Sequence, residues 1–276
     1  MRPRQALTYA FLLLYLAITG GPFLWLALTS LKPSREIFLN PFGLPESPTL
    51  VNYQTAWEVG HFGIYFKNSF LLTVLTVLAT LLLSAPAAYA LAKFCFRGGT
   101  AVSFFFLSGL MIPIQLAVVP LFFQMKWLGL LNSRSGLFLV YLATSLPFAI
   151  FLLVGFFKGL PDSLREAAIL DGANEWQAFW KVLFPLARPG LATVAIITFL
   201  GVWNEYLVAF TLLSGEGAEA VRTLPLGLAN LTLVSQFRTD FGSIFSGILI
   251  VVIPTLVAYV SLEKSLTQGL TAGSGK

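Results

Sequence analysis

Leu137–Phe157 reads LFLVYLATSLPFAIFLLVGFF, twenty-one residues without one Asp, Glu, Lys or Arg. A helix rising 1.5 Å per residue needs about 20 apolar residues to cross the hydrocarbon of a bilayer. Inside hydrocarbon the backbone must satisfy its own hydrogen bonds, so such a run is a helix, and its unbroken apolarity argues against the alternating pattern of a barrel strand. The same test applied outward finds five more runs: Thr8–Ser30, Lys67–Ala92, Ala101–Met125, Leu191–Leu213 and Ser243–Leu262. Composition agrees, with 57% apolar and only 11% charged residues, where soluble domains carry about a quarter charged. The expected fold is an all-α integral membrane protein of six transmembrane helices.

Arg2 and Arg4 precede the first run in the manner of a signal peptide, but Tyr9–Leu28 is longer than a signal core and lacks a small-x-small exit. It is therefore read as an uncleaved first span. An even number of spans puts both termini on one side, and Lys and Arg decide which. With both ends in the cytoplasm, Arg2, Arg4, Lys93, Arg97, Lys158, Arg165, Lys181, Arg188, Lys264 and Lys276 lie inside. Lys32, Arg35, Lys67, Lys126, Arg134, Arg222 and Arg238 then lie outside, a modest inward bias. The net charge of +5 is thus a signature of topology in contact with lipid. Basic tracts with interleaved aromatics, the mark of nucleic-acid binding, are absent. Cys95 is the single cysteine and His61 the single histidine, so neither an intrachain disulfide nor a clustered metal site is expected.

Between the first two spans, Leu31–Phe66 holds Pro33, Pro41, Pro45 and Pro48 with several aromatics and reads as an ordered, non-helical outer cap. The inner loop Lys158–Gly190, which follows the quoted run directly, differs. Pro161 suits a helix entrance, and Ser163 with Glu166 has the spacing of a capping box. Leu164, Ala167, Ala168 and Asp171 then share one face. Gly172 can supply the left-handed residue that ends a helix, and Asn174 with Gln177 can open a second one. Trp176, Phe179, Trp180 and Leu183 give that second helix an apolar stripe, closed by Pro185 and Pro189. The first helix reaches about 12–15 Å, too short to span a bilayer. Two readings stay open: an interfacial hairpin plugging the bundle, or a knob that docks a soluble partner through its small, mixed face.

Glu166-Ala167-Ala168-Ile169-Leu170-Asp171-Gly172-Ala173, followed by Phe179, Leu183-Phe184-Pro185-Leu186 and Pro189, resembles the EAA loop of ABC importer permeases. Lys67-Asn68-Ser69, Ala87–Ala92, Met111-Ile112-Pro113 with Pro120, and Trp203-Asn204-Glu205-Tyr206 are similar to the carbohydrate-uptake branch. The tail Gly269–Gly273 resembles the end of the G-type permease subunit of maltose transporters. The likeness covers essentially the whole chain. It implies a type-1 permease core over 67–262, after an N-terminal span and outer loop (1–66) and before a cytoplasmic tail (263–276), in a bacterial-type inner membrane. It also implies a second related permease, two cytoplasmic ATPases gripping the loop, and an extracytoplasmic solute-binding protein. Glu166, Ala167, Ala168, Asp171, Gly172 and Ala173 would be the coupling residues, with Glu166 and Gly172 the most sensitive.

No cofactor is expected in this chain; ATP would belong to the partners. Gly273-Ser274-Gly275-Lys276 imitates the end of a phosphate loop, yet Leu270 stands where the first glycine is required and no Ser or Thr follows the lysine. Glu205 is the one acidic residue inside an apolar run. A carboxylate there costs upwards of about 2.5 kcal/mol unless it meets protein or water. With Asn204 it could line the translocation path, or it could be solvated at the outer interface or paired with another subunit. The function so implied is alternating access for a sugar or related carbohydrate. A self-contained channel or secondary carrier is the alternative, and it would leave the inner loop unexplained.

Overall fold

The computed structural model describes residues 3–238 and 240–272; the terminal Gly273–Lys276 motif lies outside them. In chain order the helices are α1 (Pro3–Ser30), α2 (Ser34–Leu39), α3 (Val51–Glu58), α4 (Phe62–Lys93), α5 (Gly99–Met111), α6 (Ile114–Trp127) and α7 (Arg134–Gly159). Then come α8 (Asp162–Leu170), α9 (Glu175–Ala178) leading into a π-turn (Phe179–Leu183), α10 (Phe184–Leu186), α11 (Arg188–Trp203), α12 (Leu207–Leu213), α13 (Leu224–Arg238) and α14 (Phe241–Ala272). No strand occurs among the described residues.

Four helices are long and apolar enough to cross a membrane within Leu7–Ser30, Phe62–Lys93, Arg134–Gly159 and Phe241–Val260, and the number reaches six if each of two bent pairs, Gly99–Met111 with Ile114–Trp127 and Glu175–Leu186 with Arg188–Trp203, counts as one span. The third run is not one helix. It breaks at Ile112–Pro113, where α5 and α6 meet at 102°, because Pro113 has no N–H to donate and forces the preceding residue out of the helical region. Pro120, Pro147 and Pro254 stay inside α6, α7 and α14. The fifth run is also divided. α11 stops at Trp203, three residues intervene, and α12 resumes at Leu207. The outer loop is partly helical, against the non-helical expectation. Pro33, at φ −57°, leads into α2, and α3 forms in the proline-free stretch beyond Pro48. α13 lies between the fifth and sixth apolar runs, and α14 runs past residue 262 to Ala272.

The chain forms two compact units, Met1–Tyr65 with Leu224–Pro254 and Phe66–Thr223 with Thr255–Lys276. The first unit is knit by backbone carbonyls in the outer loop. Asn52 Nδ2 donates to Ser30 O (2.7 Å) and Lys32 O (2.8 Å), and the fully buried Lys32 donates to Asn40 O at 2.8 Å. Ser246 donates to Asn52 O, and Ser34 to the Asp240 carboxylate. In the second unit α7 is the hub, packed on α5, α6, α11 and α12. Its core gathers Ala85, Ala88 and Tyr89 of α4, Leu153 and Phe157 of α7, Phe179 and Leu183 of the π-turn, and Leu191 and Val194 of α11.

Candidate functional site

The inner loop folds as a helical hairpin built from the end of α4 upward. Lys93 is the last residue of α4, where unpaired carbonyls favour a cation. Its side chain, 3% exposed, donates to Leu160 O at 2.6 Å and to Asp162 Oδ1 at 2.7 Å. That contact sets where α8 starts. The helix begins at Asp162, with Pro161 at its cap position and no side-chain cap. Ser163 is therefore already inside the first turn, and the expected Ser163–Glu166 capping box does not form. Ala168 turns inward, whereas Leu164, Ala167 and Asp171 of the expected common face are exposed.

α8 ends as a Schellman motif. Ala173 N donates to Ala168 O and Gly172 N to Ile169 O, both at 3.0 Å. Gly172 has φ +89°, a conformation that a side chain makes costly. Asn174 and Gln177 then cap each other's backbone, at 2.9 and 3.1 Å, and open α9. Of the apolar stripe, Phe179 and Leu183 are buried, Trp180 half-buried and Trp176 exposed at 62%. The helix passes through Pro185 and turns only at Ala187, with 73° between Glu175–Leu186 and Arg188–Trp203.

One polar cluster locks the hairpin's two arms to α4. Arg165 of α8 forks onto Glu175 of α9, with Nε at 3.0 Å from Oε2 and its second nitrogen on Oε1. Tyr89 of α4 donates to the same carboxylate at 3.1 Å, and the guanidinium lies 5.0 Å over the Phe94 ring. The hydrogen bond from Arg165 holds the Glu175 carboxyl below its ordinary range, and Lys93 does the same for Asp162. The outward face carries Glu166, Ala167, Asp171 and Trp176, with Leu170 87% exposed at the tip. Tyr89, Lys93 and Glu175 were not singled out from sequence. The signals available were a lysine closing an apolar helix and opposite charges on two arms joined by a glycine.

Asn204 and Glu205 sit where α11 breaks. Asn204 closes α11, its amide donating to Leu200 O at 2.9 Å and accepting from Thr255 at 3.4 Å. The half-buried Glu205 accepts from Val208 N at 2.7 Å, from Ala209 N at 3.0 Å and from the Tyr141 hydroxyl at 2.8 Å. These N–H groups are the orphan donors at the start of α12. The carboxylate thus ties α12 to α7 and meets the positive end of a helix dipole.

A hub helix, broken apolar runs and a charge-locked hairpin define a multi-span membrane protein. Residues 81–265 match the family described as "Binding-protein-dependent transport system inner membrane component", and the chain belongs to that family. The diacetylchitobiose uptake system permease protein NgcG of Streptomyces coelicolor is 39% identical over 98% of this chain and 88% of its own. The trehalose transport system permease protein SugB of Mycobacterium tuberculosis is 36% identical over 92% of each. A crystal structure of a bacterial ABC transporter involved in import of the acidic polysaccharide alginate superposes with a TM-score of 0.82 at 26% identity, covering 95% of this chain and 96% of that one.

Proposed function

We propose that this chain is the permease subunit of an ATP-driven carbohydrate importer and supplies half of the translocation path, a second related permease supplying the rest. Two cytoplasmic ATPases bind the nucleotide and an extracytoplasmic binding protein delivers the solute; both termini of this chain face the cytoplasm. The observation that carries the reading is the hairpin. Its inner face is fused to α4 and α7 through Phe179, Leu183 and the Arg165–Glu175–Tyr89 cluster. Its outer face presents Glu166, Ala167, Asp171 and Leu170, all exposed among the described residues. A partner that moves the hairpin therefore moves the spans with it. Nucleotide drives the cycle through its different affinity for the two states of the assembly. In this reading Glu205 acts by holding the break in α11–α12 while Asn204, exposed beside it, faces the path.

Gly172→Val tests it. A Cβ at Gly172 meets nothing within 4 Å, so the cost is the left-handed backbone alone, about 1–2 kcal/mol. The spans should insert normally. ATPase association or coupled uptake, measured on the purified complex in proteoliposomes, should fall roughly 5- to 30-fold, as 1.4 kcal/mol is tenfold. Normal association and normal uptake by this variant would leave the hairpin as a membrane-interface element and defeat the coupling role.

A further inference from the structure

α5 and α7 pack closely at one end and part at the other. A Cβ placed on Gly109 of α5 would come within 3.0 Å of the Pro147 ring of α7. About two helical turns further along α7, a Cβ on Gly155 meets nothing within 4 Å. The space left there is a cavity of about 470 Å³, bounded among others by Leu91 of α4, Phe106 and Leu107 of α5, and Phe151, Gly155 and Lys158 of α7. It lies wholly within one compact unit, and its volume falls in the roughly 300–1,000 Å³ range of ligand pockets. Phe151 and Gly155 are exposed, so the cavity is open at the surface of the chain. That surface is apolar: α5 has no buried residue and shows Phe104 and Phe105 to the outside, 66% and 71% exposed.

The walls are apolar and one end is cationic. Lys158 is the single charged residue lining the cavity. The other polar side chain there, Ser103, is spent on Gly99 O at 3.0 Å. Lys158 is exposed and makes no ion pair among the described residues, in contrast to Lys93 on Asp162. Gly109 meets Pro147 while Ser103 and Lys158 share the cavity, so α5 and α7 run antiparallel and the start of α5 lies level with the end of α7. Arg97, exposed and just ahead of α5, joins Lys158 at that end. It too has no ion pair among the described residues. Both cations stand where an apolar helix run begins or stops, the depth at which lysine and arginine reach the membrane interface.

We propose that the cavity between α5 and α7 is a site for an acidic phospholipid, with one acyl chain in the apolar space and the phosphate on Lys158 and Arg97. Apolar matching does not make such a site selective, because the chain leaves one hydrocarbon surrounding for another. Selectivity comes from the headgroup, as it does where basic pockets between membrane helices hold acidic lipids. An apolar helix of another chain would match the walls but leave both cations without a counter-charge. The site requires only that the chain sits in a bilayer, and it is independent of the solute carried.

The test uses the protein purified from its membrane with the subunits that accompany it. It is reconstituted into vesicles of phosphatidylcholine and phosphatidylglycerol, with a trace of one lipid or the other bearing a photoreactive diazirine in an acyl chain. Adducts are mapped by peptide mass spectrometry. The phosphatidylglycerol probe should label the cavity residues Phe106, Leu107 and Phe151 at least fivefold more than the phosphatidylcholine probe. Lys158→Gln should cut that labelling about fivefold, the effect of one cation at the membrane surface, and Lys158→Arg should retain it. Gly155→Phe should fill the space and remove the adducts of both probes. Equal labelling by the two probes, no adduct at these residues, or adducts that persist in Gly155→Phe would overturn the site. Labelling indifferent to Lys158→Gln, a change at an exposed helix end, would overturn it independently of how Gly155→Phe folds. Displacement of the probe by soluble glycerol 3-phosphate would also overturn it, since the anion alone would then be what is bound.

Discussion

In the hairpin, Arg165, Glu175, Tyr89, Lys93 and Asp162 answer one another's hydrogen bonds, while on α4 the hydroxyls of Thr73, Thr76, Thr80 and Ser84 answer none. Both regions bring polar atoms against packed protein in the same unit, less than two turns apart along α4 at their nearest, Ser84 and Tyr89. A fully partnered cluster has one low-energy arrangement and moves as a body. An unpartnered row is better satisfied in some other arrangement, because a buried hydroxyl without a bond loses what water would have supplied. The contrast separates a region held in one arrangement from one whose polar groups that arrangement leaves unpaired.

The comparison can be broken most forcefully at Phe179. It is 1% exposed and touches the rings of Tyr89, Phe157 and Phe184. Phe179→Ala should cost about 3–5 kcal/mol of local stability, read as fast proteolysis of the hairpin in detergent while the spans stay intact. Asn174→Ala removes one half of a reciprocal cap and should cost about 0.5–2 kcal/mol, read as a smaller rise in the same cleavage rate. The opposite sign is expected on α4. Thr76→Val deletes a hydroxyl that has no hydrogen-bond partner among the described residues, so thermal stability of the purified chain should be unchanged or higher by up to about 1 kcal/mol. A clear loss of stability would show that the hydroxyl has a partner and that the two regions do not differ. The smallest effect is acid sensitivity. Glu175 and Asp162 have folded carboxyl pKa values held down by Arg165 and Lys93. Their stabilisation is fully present above the ordinary carboxylate range and is lost as pH falls through the depressed folded values. Hairpin protection should be flat near neutrality and decline only in acid, and Glu175→Gln should flatten that decline slightly, since both carboxylates are largely solvated.

Six apolar runs were legible in the sequence because a bilayer imposes a minimum length on every span. The glycine turn at Gly172 and the cap at Asn174 were legible because each depends on its immediate neighbours. The start of α8 was not, since it is set by Lys93, sixty-nine residues from Asp162. Proline alone does not locate a break: Pro113 ends a helix, while Pro120, Pro147 and Pro254 are carried inside theirs. The break at Asn204–Tyr206 has neither proline nor glycine to announce it. Its signal was Glu205, whose carboxylate meets the N–H groups that the break sets free. The α4 hydroxyls have a visible spacing, but that they lack partners is a property of packing and not of the string.

The π-turn at Phe179–Leu183, closed by Phe184 N on Phe179 O, gives this chain a place to change length. A π-turn accommodates one residue more than an α-turn between the same flanks. Losing a residue there lets the coil tighten while Phe184 and everything after it keep their bearing. The same loss in α8 or α11 would rotate all that follows by about 100°. Among related chains, single-residue gaps should therefore collect within 179–183 and avoid the helices on either side, a tolerance that aligning such chains can verify without any experiment.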